Sequence, residues 1–319
     1  VTSPANTAPP LPSRPVDLQP GSRRRISRRH REWGLAYLLL LPALLIFGIF
    51  TFYPFLKNFK LALYQNPPYP GLPSHYVGLQ QVQSVLSSTE FHQSLVSTLV
   101  YVVMVVPVGL LGGLLLALAA HRAIRGTSVY RLIFSSTVVT SVAVAAVVFG
   151  TLMDPVVGLL PWLGFDPHPA ILGNPTWALP AVALIAVWQF LGLSFIIMTA
   201  GLQSLPDEIL EAARLDGAGA WTMFWRVTIP LLSPTLFFGL VVGTIYAFQS
   251  FGQIDILIGP ANSQFTHTNV LLYYVYQALS IQNDPGVAAV LSIVLFTILL
   301  VFTMAQLRYL ERRVTYAGN

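Results

Sequence analysis

The sequence predicts an all-α membrane protein with six transmembrane helices, and three observations lead there. Only 9% of the 319 residues are charged, whereas a soluble globular domain carries about 25%. Hydrophobic residues make up 55% of the chain, and the mean hydropathy is +0.67. The few charges are gathered into blocks, leaving six uncharged apolar windows, each longer than the roughly 20 helical residues that cross a ~30 Å hydrocarbon core. This composition excludes a water-soluble enzyme. The lack of cysteine excludes disulfides, thiolate metal sites and cysteine nucleophiles.

Residues 1–22 are rich in proline, serine and threonine and nearly free of large apolar groups, so they bury too little surface to offset the entropy of ordering. Six arginines follow between Arg23 and Arg31. Residues 1–32 are therefore expected to form a disordered basic cytoplasmic tail, and residues 33–319 a transmembrane domain of six helices. The apolar window after the tail is too long for a signal peptide and lacks a small-residue cleavage site, so a retained anchor is expected.

Span one lies between Glu32 and Lys57, span two between His92 and His121, and span three between Arg131 and Asp154. Span four runs from about Trp177 to Leu205, span five lies between Arg226 and Asp255, and span six between Asp284 and Arg308. The stretches 61–89 and 256–283 are uncharged over long runs but broken by QNPPYPGLPSH and GPANSQFTHTN, so they read as loops with interfacial helices. Trp33, Tyr53, Trp162 and Trp177 fall near window ends, where amphipathic rings favour the interface. Pro42, Pro54, Pro107 and Pro180 read as packing kinks.

Arginine and lysine bias sets the orientation. With both termini in the cytoplasm, 15 of the 17 basic residues lie inside, and only Lys57 and Lys60 lie outside. The net charge of +5 is thus a matter of topology and gives no reason to invoke nucleic acid.

The loop between spans four and five, about residues 204–230, concentrates four acidic residues and two arginines. Ser204 followed by Pro206, Asp207 and Glu208 resembles a helix start, with carboxylates at the positive end of the dipole. Glu211 and Arg214 are spaced to pair, and Gly217 supplies a left-handed stop. A second short amphipathic helix is expected to carry Trp221, Phe224 and Trp225 before Pro230. Ala212 and Ala213 are small enough to admit a partner backbone; the alternative is a solvated loop helix.

The run EAARLDGAGA, with Ile229, Pro230 and Leu231 nine residues beyond Ala220, resembles the EAA loop of permease subunits in binding-protein-dependent ABC importers. Glu211, Ala212, Ala213, Asp216, Gly217 and Ala218 match the form of that motif found in the carbohydrate-uptake, maltose-type group. WGLAYLLLLPALLIFGIFTFYPFLKNF, RLIFSSTVVTSVAVAAVVFGTLMDP and NPTWALPAVALIAVWQFLGLSFIIMTAGLQSLP are similar to the same group, most of all to A-type permeases of glycerol-3-phosphate or glycerophosphodiester importers.

The resemblance implies the type I ABC importer permease fold in a bacterial cytoplasmic membrane, with the EAA segment as a coupling helix. It implies four kinds of partner: a second permease subunit, an ATPase dimer, an external solute-binding protein and a small-molecule substrate. No Walker-type GxxxxGK[ST] segment occurs in the chain, so ATP and Mg are expected on the partner ATPase, and the chain is not itself an enzyme.

A translocation path needs polar groups facing the bundle interior. Span four offers Trp188, Gln189 and Ser194, and span five offers Thr244, Tyr246, Gln249, Ser250 and Gln253. A carboxamide both donates to and accepts from hydroxyls, which makes Gln189 and Gln249 the leading candidates. Trp188 and Tyr246 offer faces for a sugar or polyol; interhelical hydrogen bonding is the alternative role for each. No lysine or arginine lies inside any window, so a phosphate would have to be met by the partner subunit or by amides, and a neutral sugar such as a disaccharide is the alternative substrate. A secondary transporter would show intramembrane charges and repeated halves, and neither is seen. The six histidines form no HxxxH or HExxH spacing, and no metal site is expected.

Overall fold

A computed structural model describes residues 24–65, 74–121, 127–164, 170–259 and 268–310. The chain divides into two units, residues 1–56 and 57–319. The first unit is helical: α1 spans Arg24–Phe47, a π-helical turn covers Gly48–Phe52, and α2 begins at Tyr53 and runs to Leu61. Residues 24–32, expected in the disordered tail, are thus part of α1; their arginines and glutamate are good helix formers and propagate the apolar helix backwards. Residues 1–23 lie outside the described part.

The second unit is built on three long helices: α4 (Thr89–His121), α8 (Ala178–Gln203) and α11 (Ile229–Phe248). They correspond to spans two, four and five. Gly109 and Gly113 of α4 abut Phe190 and Ser194 of α8 with one constant offset, so these two helices run in the same direction. On α11, Gly239 meets Met198 and Gly243 meets Phe190, so α11 runs antiparallel to α8. Small residues are what bring the backbones this close, since hydrocarbon tails offer no hydrophobic drive for helices to associate. A methyl at Gly243 would stand 2.5 Å from the Phe190 ring, which fills the space between the three helices and is 1% exposed.

Span six is α14 (Pro285–Leu310), packed against α11 through Phe248 and Phe302, whose rings lie 5.5 Å apart. Asp284 caps it, accepting from the amides of Gly286 at 3.0 Å and Val287 at 3.1 Å. The stretch 61–89 holds a two-strand hairpin, Tyr64–Gln65 against His75–Tyr76, and α3 (Gln80–Ser87), and a single turn, α7 (Leu159–Trp162), precedes α8.

Three further expectations change. Span three is broken: α5 (Thr127–Ser136) and α6 (Val142–Leu152) meet at 103°. Among the described residues, five helices are therefore long and apolar enough to cross a membrane, or six if this bent pair counts as one span. Ser141 caps the new helix, accepting from the Val144 N–H at 3.2 Å. Next, the aromatic segment after Gly217 does not end before Pro230. Helix α10 (Ala220–Thr222) passes through a π-helical stretch, Met223–Thr228, straight into α11, so Pro230 lies within a continuous helical run and its missing N–H leaves a carbonyl of the preceding turn without that donor. Finally, α13 (Leu271–Tyr276), expected to be interfacial, buries one side: Leu271 and Tyr273 are both fully covered, Tyr276 stays exposed, and Thr98 of α4 accepts the Leu271 N–H at 2.8 Å.

Candidate functional site

Two places in the second unit gather the residues singled out by sequence. One is the loop between α8 and α11. The α8 helix ends at Ser204, whose hydroxyl donates back to the Gly201 carbonyl at 2.8 Å, so Ser204 closes one helix instead of opening the next as expected. Pro206 stands at the N-cap of α9 (Asp207–Leu215), with Asp207 and Glu208 in its first turn. The end of α9 is a Schellman turn, with Ala218 N–H donating to Ala213 O at 3.0 Å and Gly217 N–H to Arg214 O at 3.0 Å. Gly217 supplies the left-handed residue this requires, at φ +81°.

The turn leaves Glu211, Ala212, Asp216 and Gly217 exposed, with Ala213 and Ala218 half-buried. Glu211 and Arg214, both exposed, form no ion pair with each other. Beyond the turn, Trp221 and Trp225 stay exposed with rings 5.7 Å apart, and Phe224 lies 5.0 Å from Trp225.

The other place is the end of α11. The helix stops at Phe248, the backbone is irregular through Gln249, Ser250 and Phe251, and α12 (Gly252–Leu257) restarts it. Span five is therefore broken near the break in span three, and Gly252 packs directly on Val142 at the start of α6. A cavity of about 350 Å³ lies there, lined by Val142, Tyr246, Gln249, Ser250, Phe251, Gly252 and Gln253.

Behind its wall runs a chain of hydrogen bonds whose direction is fixed from one end. The Thr140 carbonyl, released by the break in span three, can only accept, and Gln189 Nε2 donates to it at 3.3 Å. Gln189 Oε1 then accepts from Gln253 Nε2 at 2.9 Å, and Gln253 Oε1 accepts from Ser250 Oγ at 3.2 Å. Ser250, having given its proton, accepts from the Tyr101 hydroxyl at 2.7 Å.

Of the eight predicted path residues, Tyr246, Gln249, Ser250 and Gln253 line one cavity, and Gln189 joins it through Gln253. Trp188 sits beside Gln189 in sequence, its ring 5.3 Å from Phe149 of α6. The remaining two pack helices together: Ser194 donates to Leu110 O at 3.4 Å, and Thr244 accepts from Gln306 of α14 at 2.8 Å. Tyr101 and Thr140 were missed. The Tyr101 hydroxyl follows those of Ser94, Ser97 and Thr98 in α4, and nothing in the sequence singles it out; Thr140 acts through its carbonyl, which no side-chain pattern reveals. Among the described residues no cluster of histidine, aspartate and glutamate could hold a metal ion.

The family described as binding-protein-dependent transport system inner membrane component matches residues 91–316. The chain is 36% identical over 290 residues to the sn-glycerol-3-phosphate transport system permease protein UgpA of Agrobacterium fabrum, covering 88% of this chain and 96% of that protein. It is 34% identical over 287 residues to the protein of the same name from Yersinia pestis, with coverages of 88% and 96%.

Among solved structures it resembles a bacterial ABC transporter involved in import of the acidic polysaccharide alginate, with TM-score 0.79, 22% identity, and 91% of this chain and 100% of that one covered. The bacterial alginate transporter in complex with an alginate pentasaccharide-bound periplasmic protein gives TM-score 0.80 at 23% identity, covering 92% and 99%. These two likenesses establish the type I permease fold. The broken, glycine-packed bundle and the match over 226 consecutive positions, residues 91–316, lead to one conclusion: the chain belongs to the family of inner membrane components of binding-protein-dependent transport systems.

Proposed function

We propose that this chain is one of two different permease subunits in an ATP-driven importer, and that it forms half of the path for glycerol-3-phosphate or glycerophosphodiesters. The observation that carries the substrate reading is its 36% identity, over 96% of the relative's length, to an sn-glycerol-3-phosphate permease. The partners in this reading are the second permease subunit, an ATPase dimer that holds ATP and Mg, and an external solute-binding protein. The arginine bias puts both termini and α9 in the cytoplasm.

In this assembly α9 is the coupling helix, seated in a groove of the ATPase. Its acidic, exposed edge at Glu211 and Asp216 and the small side chains of Ala212, Ala213 and Ala218 suit close approach by a basic partner surface. Gly217 sets the turn. Motion of α9 reaches the path because it is joined to two long levers. One is α8, which carries Gln189; the other runs without a helical interruption from Ala220 to Phe248 and ends at the cavity. Closure of the ATPase pair thereby moves both walls of the polar site together.

Within that site, Tyr246 offers a hydroxyl and a ring face, and Gln249 an exposed carboxamide, to a polyol. The lining contains no cation. That neutral lining favours the second reading, a neutral sugar such as a disaccharide, unless the second subunit supplies the charge for a phosphate. Ligand binding by the cognate solute-binding protein decides between them. Glycerol-3-phosphate or a glycerophosphodiester is expected to bind more tightly than any disaccharide; tight binding of a disaccharide with none of the phosphoesters would replace the substrate reading.

A further inference from the structure

The cavity wall and the groups that face the cavity have different hydrogen-bonding states. Gln189, Gln253 and Ser250 are buried and spend their polar atoms on one another and on Tyr101 and Thr140. Breaking into this chain to reach a ligand would leave a buried donor or acceptor unmet, which costs about 1–3 kcal/mol per group. Tyr246 and Gln249 differ. Tyr246 lines the cavity with a buried hydroxyl that has no hydrogen-bond partner among the described residues, its ring stacked on Phe190 at 5.6 Å, and Gln249 is exposed there. Residues 249–251 interrupt the helix of span five: Gln249 and Ser250 still donate backward to Ile245 O at 3.1 Å and Ala247 O at 3.2 Å, and the Ser250 side chain ties the segment to Tyr101 and Gln253.

We propose that Tyr101 is a positioning residue: through Ser250 and Gln253 it fixes the irregular 249–251 segment, so that Tyr246 and Gln249, and not Gln189 or Gln253, contact the hydroxyl groups of the transported ligand. Three helices meet in this arrangement. Tyr101 comes from α4, Gln189 from α8, Gln253 from α12 and Ser250 from the break before it, with Thr140 anchoring the far end at the break of span three. The inference rests on the proposed reading of this cavity as the substrate path.

The test is equilibrium binding of radiolabelled glycerol-3-phosphate, and of a radiolabelled disaccharide in parallel, to the purified full complex without its solute-binding protein, together with its thermal unfolding midpoint. Tyr101→Phe keeps the ring and removes the donor. It should weaken binding of whichever ligand the complex takes about three- to tenfold, the value of one hydrogen bond. Ser250→Ala should do the same, and the double variant should lose no more than either alone, because both cut one chain. Tyr246→Phe and Gln249→Ala should each weaken binding while leaving the unfolding midpoint in place, whereas Gln189→Leu should lower the midpoint.

Unchanged affinity in both Tyr101→Phe and Ser250→Ala, with loss in Gln249→Ala, overturns the positioning role alone. A lowered midpoint with unchanged affinity in Tyr101→Phe also overturns it, as a purely structural bond. Unchanged affinity in Tyr246→Phe and Gln249→Ala overturns the path reading itself.

Discussion

Gly217 sits at φ +81°, a conformation that costs an L side chain about 1–2 kcal/mol, at the turn that ends α9. Gly217→Ala is therefore expected to deform the Schellman turn, and purification of the complex should recover less ATPase while the amount of chain in the membrane stays the same. Glu211 is exposed and unpaired, so Glu211→Gln should cost the fold almost nothing. The same pull-down should nevertheless show reduced ATPase retention; full retention with normal substrate-stimulated turnover in both variants would remove the coupling role.

Asp154 offers a pH test. The backbone N–H groups of Val157 and Val156 donate to its carboxylate, at 3.0 Å and 2.8 Å, and hold its pKa below the usual aspartate value. A lowered folded-state pKa means the turn is stabilised above the ordinary carboxylate range, and that this stabilisation is lost as pH falls through the lowered value. Amide exchange at Val156 and Val157, corrected for intrinsic rates, should show protection at neutral pH that disappears under acid conditions; protection independent of pH would contradict the assignment.

At this scale the sequence was readable where chemistry is local. The left-handed stop at Gly217 follows from residue type, and the glutamines of spans four and five stand out against apolar neighbours. Ser204 was misread, because the same residue type serves a helix start and a helix end, and only the backbone shows which.

Helix boundaries were legible from the apolar windows, since burial in hydrocarbon demands them. The breaks were not. Span three reads as a continuous apolar run, and nothing in TVVTSV announces a bend of 103°. The bend is set by tertiary packing: Thr137 abuts Gly192 of α8, and Thr140 finds its acceptor role with Gln189. Ser141 then caps α6. Ser141→Ala removes that cap and should lower stability by about 1 kcal/mol, read as a lower unfolding midpoint of the complex; an unchanged midpoint would show that packing alone sets the break. The α13 segment was placed at the interface because its apolar run is short, yet it is held inside by Thr98 and by Phe251, whose ring stacks on Tyr273 at 5.5 Å.

Taken whole, the molecule joins a charged, exposed loop to a neutral polar cavity through helices that run unbroken between them. Composition alone was enough to place the chain in a membrane, and the EAA-like run enough to suggest its family, which the match over residues 91–316 establishes. The arrangement of polar groups into one chain depends on which helix faces touch, and that is a property of the folded bundle. The central claim is that transport through this chain is driven by ATP on a partner. Uptake of labelled glycerol-3-phosphate into proteoliposomes containing the chain, its second permease subunit and the ATPase tests it, with solute-binding protein outside and ATP enclosed or omitted. The account predicts accumulation only with both ATP and the loaded binding protein; accumulation that persists without ATP would contradict it.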